Sequence, residues 1–156
     1  MSKVLTTNKV FSSAATEVGF LGSGSTRYIE YPDFFLLLNH QKSSYSKAFY
    51  VNVGIIYKEL MGGSPSIEEV CSAFNFRDSK LSVHVDFRLE GFPDAPVKLQ
   101  KTFDDLVVNG DMGELKRLLI DVFSRLIEFV GKNHDRATIR RLRDEKKLSA
   151  MVLKEV

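Results

Sequence analysis

Apolar residues recur along this chain in two rhythms, one of period two and one near 3.6. Between Phe34 and Tyr57 the runs FFLLLNHQKS and AFYVNVGIIY flank a short Ser/Tyr/Lys connector. Extended apolar runs bounded by turn residues predict a β-hairpin. Arg27–Tyr31 reads as a strand before it, with Pro32-Asp33 as the turn, which makes an antiparallel meander. Further on, Val83, Val85, Phe87 and Leu89 alternate with Ser82, His84, Asp86, Arg88 and Glu90. That alternation predicts a strand with one buried and one wet face. The stretch from Cys71 to Arg77 gives a weaker strand signal.

The helical rhythm appears first in Val4, Val10, Phe11, Ala14, Ala15 and Val18, ahead of Gly19. It predicts an amphipathic helix closed by a C-terminal glycine. Ser66 and Glu69 are spaced as a capping box around one helical turn, and Asp111 with Glu114 repeats that spacing. Leu115, Leu118, Leu119, Val122, Phe123, Leu126, Ile127 and Val130 then mark a long helix ending before Gly131. Another helix is expected after Asp135 through Ile139 and Leu142, restarting at Ser149 to carry Met151, Val152 and Val156. Together these elements predict an α+β fold in one domain over residues 1–156. Its antiparallel sheet has about four to six strands, packed on one face by an N-terminal helix and C-terminal helices.

Alternation also sorts the candidate chemistry by face. Val51, Val53 and Ile55 point one way on their strand, and Tyr50, Asn52 and Gly54 the other. Asn39 and Gln41 share a side with Phe35 and Leu37, so hairpin pairing aligns Asn39, Gln41 and Asn52 in one polar strip. His84, Asp86 and Arg88 are expected to extend it. These six residues form the candidate binding site, because amide, imidazole, carboxylate and guanidinium groups on one surface recognise a polar ligand or a protein by fixed hydrogen bonds. The plain alternative is the solvated side of an antiparallel sheet. Against it, Phe35, Leu37, Tyr50 and Ile56 fall on the same face, and an apolar patch beside polar groups suits a contact surface.

A catalytic arrangement would need His84 as base, Asp86 as its orienting carboxylate and Ser43, Ser44 or Ser46 as nucleophile. The chain has no nucleophile elbow to support it, and no catalytic residue is assigned. Asp104 with Asp105, and Glu68 with Glu69, are sequence neighbours that diverge on a helix, so no metal and no cofactor is expected. Gly22-Ser23-Gly24-Ser25-Thr26 lacks the lysine of a phosphate loop and reads as a connector. Arg136, Arg140, Arg141, Arg143, Lys146 and Lys147 form the one locally basic region. It is expected to be a solvated helix face, with an Arg140–Asp144 pair, rather than a nucleic-acid surface.

Composition narrows the class further. The chain has 156 residues, 44% hydrophobic and 27% charged, with a formal net charge of +2. Those values suit an ordered globular protein and give no electrostatic case for nucleic acid or an anionic membrane. The single cysteine, Cys71, cannot close an intrachain disulfide, which favours a reducing compartment. The first twenty or so residues lack a signal-like apolar core, and the run Phe34–Leu38 is far short of the ~20 residues that span a bilayer. A cytoplasmic location is expected, without membrane contact.

The segment from Val10 to Lys58 resembles the uncharacterised, mostly bacterial domain-of-unknown-function family 4304. The resemblance rests on V-G-F, T-R-Y-I-E-Y, F-F-L-L-L-N-H-Q-K-S and F-Y-V-N-V-G-I, with Asn39, Gln41, Lys42, Ser43, Asn52 and Gly54 at the characteristic positions. It implies an α+β fold in a bacterial cytoplasm and brings no established activity or catalytic residue. Small bacterial families of similar architecture include immunity proteins that block a toxin. The leading expectation is therefore a non-catalytic intracellular binding protein with a protein partner, of which a toxin-immunity protein is one form. The alternative is a small enzyme or ligand-binding domain with a pocket around His84, Asp86 and Arg88.

Overall fold

The computed structural model describes residues 6–74 and 81–156. Val4, and the part of the weak strand signal beyond Phe74, lie outside the described residues. The first helix, α1 (Thr7–Glu17), starts where the Thr6 hydroxyl accepts the Lys9 N–H at 3.2 Å. It ends at Gly19, whose φ of +105° lets the chain turn into the left-handed region. Strands β1 (Thr26–Glu30), β2 (Phe34–Lys42) and β3 (Phe49–Tyr57) follow as the expected meander. A short helix α2 (Ile67–Cys71) carries the predicted capping box complete: the Ser66 hydroxyl accepts the Glu69 N–H, and the Glu69 carboxylate accepts the Ser66 N–H. Then come β4 (Val85–Arg88), α3 (Leu99–Val108), α4 (Met112–Asn133), α5 (Arg136–Asp144) and β5 (Met151–Val152).

Among the described residues the strands pair antiparallel in one five-stranded sheet of order β1-β2-β3-β4-β5. The α+β class and the sheet packed by N- and C-terminal helices are thus as the sequence pattern reads. Val51, Val53, Ile55, Leu36, Leu38, Val85 and Phe87 join Phe11, Leu119, Phe123 and Leu126 in the main core. Phe11 meets Phe123 edge to face, centroids 5.9 Å apart, a geometry that aromatic quadrupoles favour.

The opposite face departs from expectation. Phe35, Leu37 and Ile56 are buried there under Val70, Ala73 and Val83, with Phe74 packed alongside. The apolar patch expected to be open is therefore a second, smaller core. Cys71 ends α2 and the next residues turn, so the weak strand signal there is a capped helical turn instead. Gly54 makes this cover possible. A Cβ on it would lie 2.8 Å from Phe74 Cζ and 2.8 Å from Val83 Cγ1.

Other differences have local causes. Asp111 makes no side-chain cap, because its backbone N–H closes the end of α3 on the Leu106 carbonyl and its ψ of 62° turns the side chain from capping geometry. Glu114 pairs with Arg117 instead. Helix α4 runs through Gly131, and its last carbonyls are taken by Asn133 Nδ2 on Phe129 and His134 Nδ1 beside Val130. The expected helical restart at Ser149 is strand β5. Lys146, at φ +60°, closes α5, after which the Ser149 N–H donates to the Gly91 carbonyl and draws the chain onto β4. Gly91 admits that approach, since a Cβ there would sit 2.9 Å from the Ser149 carbonyl oxygen.

Gly54→Ala tests how the second core is seated. The added methyl must push Phe74 and Val83 off the sheet, so overpacking should cost about 1–3 kcal/mol, read as a lower urea midpoint at unchanged slope. An unchanged midpoint would mean that the cover does not depend on the missing Cβ.

Candidate functional site

β4 was expected to present His84, Asp86 and Arg88 together, and the structure separates them. Val85 and Phe87 point into the main core while Val83 packs in the second core, so the alternation changes phase at His84. The cause is a side chain acting as backbone. His84 Nδ1 accepts the Tyr57 N–H at 2.9 Å, while the His84 N–H donates to the Ile55 carbonyl at 2.9 Å. The imidazole is buried and lies nearly parallel to the Tyr57 ring, planes 13° apart. Burial lowers the His84 pKa.

Asp86 and Arg88 do face the polar side, with Asn39, Gln41 and Asn52. They line a cleft of about 680 Å³ with Phe74 and the Ser149–Met151 return. Its floor is an amide ladder across β1, β2 and β3. Asn39 Nδ2 donates to Thr26 Oγ1 at 2.9 Å, and Asn52 Nδ2 donates to Asn39 Oδ1 at 3.1 Å and to Gln41 Oε1 at 3.0 Å. The register places Asn39 opposite Asn52 and Asn52 opposite Arg88. That alignment is the one the alternation predicts.

Arg88 lies over the Tyr50 ring with its guanidinium carbon 4.1 Å from the centroid. Such stacking uses the flat face of the cation and leaves its N–H edge for an acceptor. Asp86 is half-buried, and burial raises its carboxyl pKa against the opposing pull of Arg88. Among the described residues no hydrogen bond or ion pair engages the Asp86 carboxylate, and the Arg88 guanidinium makes none beyond its ring contact. The cleft thus holds an unpaired cation and an unpaired anion on one strand face.

The other sequence candidates are placed elsewhere. Ser43 and Ser46 bond each other in the β2–β3 turn. That turn follows Lys42, whose register partner is Phe49, whereas His84 meets β3 at Tyr57. At about 3.3 Å per strand residue, some 25 Å separates these ends, and no Ser–His–Asp unit assembles. Among the described residues no group of three or more His, Cys, Asp or Glu could hold a metal ion. Burial raises the Cys71 thiol pKa, which disfavours the reactive thiolate.

Arg140 does not pair with Asp144. Its Nε donates to the Val156 carbonyl at 3.0 Å, and Arg143 takes Asp144 at 2.8 Å. Arg136 binds Glu59 at 3.0 Å and the Glu155 carbonyl. The basic segment thus spends much of its charge fastening the chain that follows it. Among the described residues no helix is long and apolar enough to cross a membrane.

Sequence reasoning missed Arg27. It is buried, and its guanidinium donates to the Gly22 carbonyl at 2.7 Å, to Thr16 Oγ1 at 3.1 Å and to Ser12 Oγ. The glycine-rich connector therefore turns carbonyls toward a cation, the reverse polarity of a phosphate cradle. A strand arginine expected on alternation to face the core, opposite Leu38, was the available signal.

Residues 11–130 match the family model DUF4304, a domain of unknown function. No curated protein and no solved structure gives a significant match.

The buried histidines set a pH dependence. His40 stacks on Phe49 with its Nε2 2.9 Å from Thr7 Oγ1, and burial lowers its pKa as it does that of His84. With native values below the unfolded value of about 6.5, the unfolded chain binds protons that the fold refuses. Stability from both is complete above that value and falls as pH drops toward the native pKa values. Urea midpoints should therefore decline from about pH 7.5 to pH 5. His84→Asn retains a carbonyl acceptor for the Tyr57 N–H and should shallow that decline. An equally steep decline in the variant would remove His84 as a cause.

Proposed function

The chain belongs to the DUF4304 family of unknown function, and from that premise we propose that it is a non-catalytic binding protein that takes a protein partner on the polar face of its sheet. One observation carries the reading. Asp86 and Arg88 lie on the same face of one strand, opposite in charge, and among the described residues neither side chain forms an ion pair or hydrogen bond. A half-buried carboxylate without a donor is a standing cost that folding alone does not recover. A partner that supplies a donor to Asp86 and an acceptor to Arg88 recovers it. Asn39, Gln41 and Asn52 flank the two charges with amides already fixed by the ladder, so little side-chain entropy is lost on contact. Tyr50 beneath Arg88 adds an aromatic and an arginine of the kind that anchor interfaces.

An enzymatic role has less behind it. His84 is committed to the Tyr57 N–H, and the serines lie at the far end of the hairpin. A small-ligand site at Asp86 and Arg88 is the second reading, favoured by a cleft volume of about 680 Å³, within the roughly 300–1,000 Å³ usual for such sites. His84 has no part in it. An immunity-type role, neutralising a toxin by occupying it, is one form of the protein-binding reading and requires a stoichiometric partner.

Immobilised protein should retain one stoichiometric protein from a lysate of its source, and Arg88→Ala should release most of it. The Arg88 side chain holds only the Tyr50 ring contact and its pull on Asp86, so its removal should cost about 1 kcal/mol or less and leave the domain folded. Retention of a metabolite with no protein would transfer the site to the second reading. If Arg88→Ala binds like the parent chain, the cleft is not the contact surface.

A further inference from the structure

The turn joining β2 to β3 was read only as a connector, yet its side chains are arranged as a contact element. Tyr45 is 99% exposed. It stands in a turn held by its own polar groups: Ser43 N–H to the Ala48 carbonyl at 3.0 Å, Tyr45 N–H to Ser43 Oγ at 3.2 Å and Ala48 N–H to Ser46 Oγ at 3.1 Å. An ordered turn that leaves its one large aromatic wholly in water gains nothing from that ring in the free protein. Tyr beside several Ser is also the composition of loops that bind proteins, where the stiff ring supplies contact area and the hydroxyls adapt.

Charge selects the partner. Lys42 and Lys47 flank the turn, and among the described residues neither enters an ion pair. Arg88, stacked on Tyr50 in the same hairpin, is likewise unpaired. Asp104, near the Phe49 carbonyl, already accepts the Gln100 amide at 3.0 Å. Lys42 alternates with Leu36, Leu38 and His40 onto the helix-packed face and stands opposite Phe49. The cations available on the cleft side are therefore Lys47 in the turn and Arg88, with Asp86 as the anion beside Arg88. A nucleic-acid backbone, with a phosphate at every step, would be repelled where Asp86 stands. A polypeptide can place carboxylates against Lys47 and Arg88 and an N–H against Asp86.

We infer that the Ser43–Ala48 turn is part of the binding surface, and that the partner segment it receives is acidic and polypeptide, seated against Tyr45 and spanning to Arg88. This rests on the reading of the polar face as a protein-binding surface and names the chemistry of what binds there.

The test is an NMR titration of ¹⁵N-labelled protein with three probes: a short capped peptide alternating Glu and Ala, its Gln counterpart, and a single-stranded oligothymidylate. The Glu peptide should shift the amides of Ser43–Ala48 together with the Arg88 side chain, and the Gln peptide should shift neither. Lys47→Glu should weaken the Glu peptide by about threefold or more, whereas Lys42→Glu, on the opposite face of the sheet, should leave it unchanged. Tyr45→Ala should weaken it as well, while Tyr45→Phe retains it. These turn substitutions touch no buried group, so an unchanged thermal midpoint shows that each variant is folded. Shifts confined to Asn52, Asp86 and Arg88 would overturn the role of the turn and leave the cleft reading standing. Tighter binding of the oligothymidylate, or no shift with any probe, would overturn the acidic-polypeptide assignment, which the capture experiment on Arg88→Ala does not depend on.

Discussion

The β2–β3 ladder is the constraint on which the rest depends. It pairs residues without a break from Phe34 opposite Tyr57 to Lys42 opposite Phe49. Side chains on a strand alternate faces, so a slip of β2 by one residue would turn Leu36 and Leu38 out of the main core and bury Asn39 and Gln41 in it. The penalty for burying those amides away from their partners, added to the loss of core area, fixes the register. Once fixed, it supplies a floor for α1 and α4 on one side and a polar strip on the other. The fold and the site are two faces of one pairing.

The strip becomes a cleft only because remote segments return to it. Phe74 comes from the turn after α2 and stands over Gly54, and Ser149–Met151 come back along β4 after α5. Neither wall is local to the strand it borders. Arg27 makes a comparable long-range tie. It joins the glycine-rich connector to α1 through Ser12 and Thr16, and its buried charge is met by carbonyls and hydroxyls. Five guanidinium donors in a rigid fork suit such a nest of acceptors, and a lysine would fill it poorly.

Local rhythm made much of this legible. The hairpin, the Ser66–Glu69 capping box, the apolar face of α4 and the alignment of Asn39, Gln41 and Asn52 follow from spacing within a few residues. What escaped was set by contacts distant in sequence. The phase change at His84 arises because an imidazole substitutes for a backbone acceptor to Tyr57, and nothing within Ser82–Glu90 encodes it. The strand at Met151–Val152 forms because Gly91 lets Ser149 approach, against a local pattern that suits a helix. Burial of Phe35, Leu37 and Ile56 depended on α2 folding back across the sheet, which a strand pattern cannot reveal. The cleft's polar residues were thus readable, whereas its walls and the exclusion of His84 were not.

The amide ladder gives the cleft a direction. Each amide donates toward the next, from Asn52 to Asn39 and from Asn39 to the Thr26 hydroxyl, while Asn52 spends its other N–H on Gln41. With both donors consumed, the Asn52 side-chain Oδ1 is left as an acceptor in the floor, and the Gln41 side-chain N–H groups remain as donors. A hydroxyl on the edge strand therefore sets the polarity felt two strands away, so that the surface distinguishes one end of whatever lies across it from the other.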